Sequence, residues 1–168
     1  MTFSTSSDTR PADITAFWRE AGPLRWWAAD PAFDAMIRDR FERIHWDASS
    51  GRLKSWEQDA TGALALVLLT DQFPRNLYRD SAHAFASDAL ARNVADRALE
   101  RGFDRAAEPL LRGFFYMPLQ HHEDAGSQAR AVALFARLAT ETGDNQGLDY
   151  ARLHAGLIAR FGRFPHRN

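Results

Sequence analysis

Apolar side chains recur along most of the chain at intervals of three and four residues, which is the spacing of one face of an α-helix. The clearest stripe consists of Phe33, Ile37, Phe41, Ile44 and Ala48. Asp30 precedes it as a predicted N-cap, and Pro31 stands at the first helical position, where the missing N–H is not needed. The stripe therefore predicts a helix that begins after Asp30 and ends before Gly51.

The same spacing predicts further helices over residues of about 13–20, 53–71, 81–101, 110–117, 125–142 and 148–161. Pro74 is expected to end the helix that precedes it and to hold Phe73 in an extended conformation. Ser81 is expected to cap a long helix, and Pro118 to end a short one. No run of residues alternates between apolar and polar as a strand does. The prediction is an all-α fold of about seven helices, joined by short loops and stacked as antiparallel hairpins.

The composition of the chain indicates its domain organisation and excludes several kinds of site and partner. Residues 1–10 are mostly polar and predict a flexible N-terminal tail, followed by a single all-α domain over residues 11–168. The 168 residues include no cysteine, which excludes thiol chemistry and zinc–thiolate sites. A net charge of −1 argues against a general nucleic-acid partner. With no secretory signal, and no apolar run near the ~20 residues of a membrane span, we expect a cytoplasmic protein without a membrane partner.

Several polar side chains lie on faces that the helical spacing turns toward the core. Asp71 lies on the apolar face of its helix, and Asp88 and His154 also face inward. An isolated buried charge is costly, so Asp71 needs a partner. Arg75 and Arg79 follow closely enough to supply it.

The segment from His121 to Asp124 precedes a predicted helix and allows two interpretations. Glu123 and Asp124 suit the first turn of that helix, where negative charge meets the positive end of the helix dipole. Alternatively, His121 or His122 is a base or a metal ligand, with Glu123 or Asp124 as its carboxylate partner. Adjacent histidines on a helix point about 100° apart, and the His-x-x-x-His spacing of zinc hydrolases is missing, so no metal site is predicted.

The sequence Phe73-Pro74-Arg75-Asn76 returns at the other end as Phe164-Pro165-His166-Arg167-Asn168. The arginines of these two Phe-Pro motifs can form a cationic pocket for a carboxylate or phosphate, or they can pair with nearby acids in a structural network. The predicted ligand-binding residues are Asp71, Arg75, Asn76, Arg79, Asp88, Arg163, His166 and Arg167. The candidate catalytic residues are His121, Glu123 and His154.

Taken together, these motifs resemble a bacterial family known as domain of unknown function 924. The resemblance is carried by Phe17-Trp18, Trp26-Trp27, Phe33-Asp34, residues 64–79, 84–88 and 115–119, and the stretch from His154 to the second Phe-Pro motif. It implies a tetratricopeptide-like stack of helices and no particular reaction. The chain departs from the family at Gln120 and His122, which replace the Met and Ser of a Pro-Leu-Met-His-Ser-Glu motif. Family members also usually continue beyond the second Phe-Pro motif.

Two functional hypotheses follow. The favoured one is a protein that binds a small anionic molecule in a polar Arg/His/Asp pocket between the two Phe-Pro motifs. The alternative is a tetratricopeptide-like scaffold that binds a peptide or protein partner, with both motifs purely structural. The sequence indicates neither a cofactor nor a reaction, and either hypothesis allows a homo-oligomer. The five tryptophans are expected in the core or, alternatively, as one wall of a ligand cleft.

Overall fold

The computed structural model of the protein describes residues 8–167, and every regular element within them is helical, which confirms the all-α prediction. Residues 1–7 of the predicted tail and Asn168 lie outside the described residues. The helices are α1 (Pro11–Trp26), α2 (Pro31–Ser49), α3 (Ala60–Val67), α4 (Phe73–Leu77), α5 (Asp88–Glu100), α6 (Phe103–Ala106), α7 (Pro109–Arg112), α8 (Met117–Gln120), α9 (Ala125–Thr142) and α10 (Gln146–Phe161). Short 3-10 turns lie at Lys54–Gln58, Ala82–Phe85, Gly113–Phe115 and Pro165–Arg167. Between residues 8 and 167, no helix has the length and apolar character that crossing a membrane requires.

Helices α2 and α9 confirm the sequence prediction most closely. Asp30 caps α2 by accepting hydrogen bonds from the N–H groups of Ala32 and Phe33, and the predicted apolar stripe is buried. The bounds of α9 are those predicted. Residues 143–145 join α9 to α10, and so short a connection makes the two helices an antiparallel hairpin.

The expectation that Pro74 ends the central helix is wrong. Helix α3 continues through a π-helical turn (Leu68–Gln72) into α4, and Phe73 is helical with φ −60° and ψ −38°. The N–H of Phe73 donates to the C=O of Leu68, five residues earlier, which is the wider hydrogen-bond spacing of a π turn. The rod is buried throughout residues 62–74 and lies at the centre of the fold, packed against α1, α2 and α5.

Side chains from other elements stabilise the backbone around this proline. Pro74 has no N–H to donate to the preceding turn. Three carbonyl groups of that turn accept from side chains instead, namely Leu69 from His45, Thr70 from Ser87, and Asp71 from Arg75. The distances are 2.7 Å for His45 Nδ1 and 2.6 Å for Ser87 Oγ. The helix can therefore pass through Phe73-Pro74 without leaving buried carbonyl groups unpaired.

The predicted helices over 81–101 and 110–117 are each divided in the structure. Ser81 caps only the 3-10 turn, by accepting from the N–H of His83, and α5 begins at Asp88. Pro118 lies in the first turn of α8, where a proline is tolerated, and does not break a helix. Residues 8–167 therefore contain more helical segments than the seven or so predicted, and the likeness to tetratricopeptide repeats is not confirmed.

A bend in α1 places two tryptophans at the surface of the core. Gly22 has φ 72° and ψ 173°, a backbone conformation that strongly favours glycine, and Pro23 follows it. The bend folds Trp26 back onto Trp18, with Trp26 Nε1 donating to the C=O of Trp18 at 2.7 Å. Trp27 is consequently left half exposed, at 49% of its surface.

Candidate functional site

Asp71 is completely buried and is the centre of a network of charged side chains. Its carboxylate contacts His121 Nδ1 at 2.7 Å and Gln72 Nε2 at 2.7 Å, and Arg75 Nη1 lies 3.5 Å away. Burial alone raises its pKa, but the charges of His121 and Arg75 outweigh burial and lower the pKa of Asp71 to about 2. Because an ionised carboxylate can only accept, Nδ1 of His121 carries a hydrogen. Nε2 also carries one when the ring is positively charged, and it can then donate to another partner.

Arg75 joins Asp71 to a second acid, Asp88, which opens α5. The guanidinium of Arg75 binds Asp88 through both nitrogens, at 2.9 and 3.1 Å. This two-point contact is the geometry that arginine offers and lysine does not. The pairing of Arg75 with Asp71 that the sequence predicted is confirmed, and Asp88 is an additional partner.

Arg167 connects the second Phe-Pro motif to the same network. Its Nη2 lies 3.6 Å from Asp88 Oδ2, and its guanidinium stacks on the rings of Phe85 and Phe164, 4.7 and 4.8 Å from their centroids. Burial lowers the pKa of Arg167. The two Phe-Pro motifs therefore meet at Asp88, in a network of paired charges.

Arg79 and Asn76 bind a different acid, Asp34 on α2. Arg79 donates through Nε and Nη2 at 2.8 and 2.9 Å, and Asn76 donates through Nδ2 at 2.8 Å. Burial opposes ionisation of Asp34, but these hydrogen bonds prevail and lower its pKa. Two of the five N–H groups of Arg79 serve Asp34, so three can donate to another molecule.

A cleft of about 370 Å³ opens beside these groups. Its polar lining consists of Arg79, Gln120, His121, Gln146, Tyr150 and His154. Its apolar lining consists of Trp26, Trp27, Ala28, Met117, Phe135 and Gly147. No Asp or Glu among residues 8–167 lines it. Gln120 is 95% buried, since only 5% of its surface is exposed, and its Oε1 finds no donor within the described chain.

The two histidines of the cleft differ in their environments. The ring centroids of His121 and His154 are 6.3 Å apart. His154 Nδ1 lies 2.8 Å from the C=O of Tyr150, which can only accept, so Nδ1 carries the hydrogen. Burial, together with the positive charges of His121 and Arg167, lowers the pKa of His154, which is therefore mostly neutral at pH 7. In both histidines of the cleft, Nδ1 is therefore already hydrogen-bonded to an acceptor within the chain.

Glu123 and Asp124 do not pair with the histidines in the way one interpretation of the sequence proposed. Glu123 Oε1 accepts from the N–H of Phe164 at 2.8 Å and so ties the C-terminal turn to the loop between α8 and α9. Asp124 is the N-cap of α9 and accepts from the N–H of Ser127 at 2.8 Å, as the capping interpretation predicted. The carboxylate partner of His121 is Asp71 instead, 50 residues earlier in the chain.

Of the eight predicted ligand-binding residues, Arg79 lines the cleft and the other seven do not. Asp71, Arg75, Asn76, Asp88 and Arg167 belong to the networks of charged side chains described above, and two of the seven lie at the surface. Arg163 and His166 are both exposed and are absent from its lining. The ring of His166 lies 5.7 Å from that of Phe164. No cluster of three or more His, Asp or Glu side chains suited to a metal ion occurs within residues 8–167.

Comparison with known proteins identifies the family of the chain. The sequence model of a family described as "Bacterial protein of unknown function (DUF924)" matches residues 14–168. The chain belongs to the DUF924 family. Its structure is similar to a solved structure of a protein of unknown function from Agrobacterium tumefaciens, with a TM-score of 0.89 and 46% sequence identity over 94% of this chain and 87% of that chain. No curated protein matches the chain significantly.

In this DUF924 protein, four polar residues of the candidate site were not proposed from the sequence, namely Asp34, Gln120, Gln146 and Tyr150. Asp34 precedes Ile37 and Phe41 by three and seven residues, so the helical spacing that marked Asp71 as inward-facing also marks Asp34. No comparable signal marks Gln120, because α8 is only four residues long and shows no periodicity.

Proposed function

We propose that this cleft binds a small organic anion. The proposal rests on one observation: the basic side chains lie nearer the cleft than the acidic side chains that they bind. Arg79 and His121 line the cleft, while their acidic partners lie behind them. The side chain of Arg79 is 39% exposed against 12% for Asp34, and that of His121 is 13% exposed against 0% for Asp71. An anion that enters therefore meets hydrogen-bond donors before it meets a carboxylate.

The other walls define the kind of anion. Trp26, Trp27 and Met117 offer apolar surface, and the amide of Gln120 adds a polar contact. A mostly apolar cavity with a few polar groups at one side is the usual form of a small-molecule site. The combination favours a carboxylate that has an apolar body over a compact inorganic anion.

In this proposal Arg75, Asp88 and Arg167 hold the site and do not touch the ligand. The guanidinium of Arg75 is already bound to Asp71 and Asp88, and that of Arg167 stacks between two aromatic rings. We assign ligand contact to Arg79 and His121, with His154 and Gln120 beside them.

Calorimetric titration with benzoate tests the proposal. We expect benzoate to bind at one site, and benzamide, which has the same shape without the charge, to bind at least about tenfold more weakly. Arg79→Gln removes a charge-assisted contact and is expected to weaken benzoate binding by about tenfold or more.

Arg97→Gln is the matched control. Arg97 also binds a carboxylate, Glu57, through two nitrogens at 2.6 and 2.9 Å, and its side chain is 47% exposed, but it does not line the cleft. Its replacement should leave the affinity for benzoate unchanged. Equal losses in the two variants, or no binding of benzoate to the unmodified protein, would reject the proposal.

The alternative, a scaffold that binds a peptide or protein partner, is supported by exposed apolar side chains on α10. Tyr150, Leu153 and Phe161 are exposed at 52%, 58% and 47% of their surfaces. Such side chains on one helix are typical of a surface that another chain can cover. If benzoate does not bind, the scaffold function becomes the favoured one.

A further inference from the structure

The cleft continues into a second hollow of about 300 Å³. The two hollows share six lining residues, namely Trp26, Trp27, Met117, Phe135, Gln146 and Gly147. Because one set of side chains forms a wall of both, the two hollows are neighbouring parts of one groove. Trp27 stands at their junction and is stacked on Phe114, with 6.1 Å between the ring centroids.

The second hollow differs from the first in polarity. Beyond the shared wall, its lining is apolar at Pro23, Leu110, Phe114, Leu138 and Leu148. Leu110 is 50% exposed, which leaves apolar surface in contact with water. The hollow also has one acidic lining residue, Asp144, which repels an anion. A charged ligand group is therefore favoured at the Arg79 end of the groove and disfavoured at the Leu110 end.

We infer that the ligand is an amphipathic anion with an aliphatic chain. Its carboxylate would contact Arg79 and His121, and its chain would cross Trp27 and cover Leu110. This inference rests on the proposed function and adds a substrate class to it. A peptide fits the groove less well, because each of its residues brings an N–H and a C=O that a mostly apolar wall cannot pair. A saturated chain has no such groups, and each methylene gains by leaving water.

A series of fatty acids of different lengths tests the inference. Each methylene that leaves water should increase affinity about two- to fourfold, so octanoate should bind at least about tenfold more tightly than butyrate. Octanol, which has the chain without the charge, should bind about tenfold more weakly than octanoate.

Leu110→Ser should remove most of the advantage of octanoate over butyrate and leave butyrate binding unchanged. Leu153→Ser is the matched control, since Leu153 is exposed to a similar degree, 58%, and lines neither hollow. Leu153→Ser should preserve the full advantage. Because both leucines are on the surface, neither variant should unfold the protein.

The outcomes separate this inference from the proposed function. Equal affinities for butyrate and octanoate would overturn the aliphatic-chain inference and leave anion binding intact. No binding of either acid would overturn both. Octanol that binds as tightly as octanoate would show that the charged end is not used, and would also overturn both. A short apolar peptide that binds in place of octanoate would overturn the inference in favour of the scaffold.

Discussion

Replacing Arg75 by alanine is expected to lower the free energy of unfolding by about 3–5 kcal/mol. The substitution leaves Asp71, which is completely buried, and Asp88 without their common partner. It also removes the side-chain donor to the carbonyl of Asp71, three residues before Pro74. Asp71 keeps His121 and Gln72, and Asp88 keeps the more distant Arg167, but the two acids lose the one guanidinium that neutralises both. In a chain of 168 residues, the melting temperature should fall by on the order of 10 °C.

Thermal and urea unfolding of purified Arg75→Ala measure this change. Arg163→Ala is the matched control, because Arg163 lies beside the second Phe-Pro motif but is exposed. Its stability should stay within about 0.5 kcal/mol of the unmodified protein. If Arg75→Ala were as stable as Arg163→Ala, the network would not hold the fold, and Arg75 would return to the set of ligand-binding candidates.

Replacing Gly62 by alanine should also be strongly destabilising, by about 3 kcal/mol. A Cβ on Gly62 would lie 2.0 Å from the backbone oxygen of Trp56 and 2.8 Å from its carbonyl carbon. Backbone atoms cannot rotate away as a side chain can, so α3 and the 3-10 turn Lys54–Gln58 would have to separate. Helix propensity alone predicts the opposite sign, since alanine is favoured over glycine by about 1 kcal/mol within a helix.

Gly156→Ala isolates the effect of propensity, because Gly156 lies within α10 and a Cβ there meets no atom within 4 Å. We expect this variant to be as stable as the unmodified protein or more stable by up to about 1 kcal/mol. Urea unfolding of the two variants side by side provides the measurement. Similar stabilities would contradict the close approach of α3 to Trp56.

The elements that the sequence predicted best are those whose signals are local. Helix α2 combines an apolar stripe with an N-cap and a proline at its first position, all within one segment. The passage through Phe73-Pro74 could not be predicted in the same way. It depends on His45 and Ser87, which lie in distant parts of the sequence and donate to the carbonyls of the π turn. Local rules for proline contain no such donors.

In the candidate site, too, local signals could be predicted from the sequence and contacts between distant residues could not. Asp71 could be recognised as a buried acid from helical spacing, and its partner Arg75 lies one turn away. The contact of His121 with Asp71 spans 50 residues, so the sequence instead suggested the adjacent acids as partners of the histidine. The cleft itself depends on the bend at Gly22, which places Trp26 and Trp27 opposite α10.

A crystal structure of the protein with benzoate bound is the most direct test of the proposed anion site. We predict that the carboxylate lies about 2.7–3.2 Å from a guanidinium nitrogen of Arg79 or from Nε2 of His121. The ring of benzoate should lie against Trp27. Benzoate bound elsewhere, for example at the exposed Arg163 and His166, with the cleft unchanged, would contradict the account.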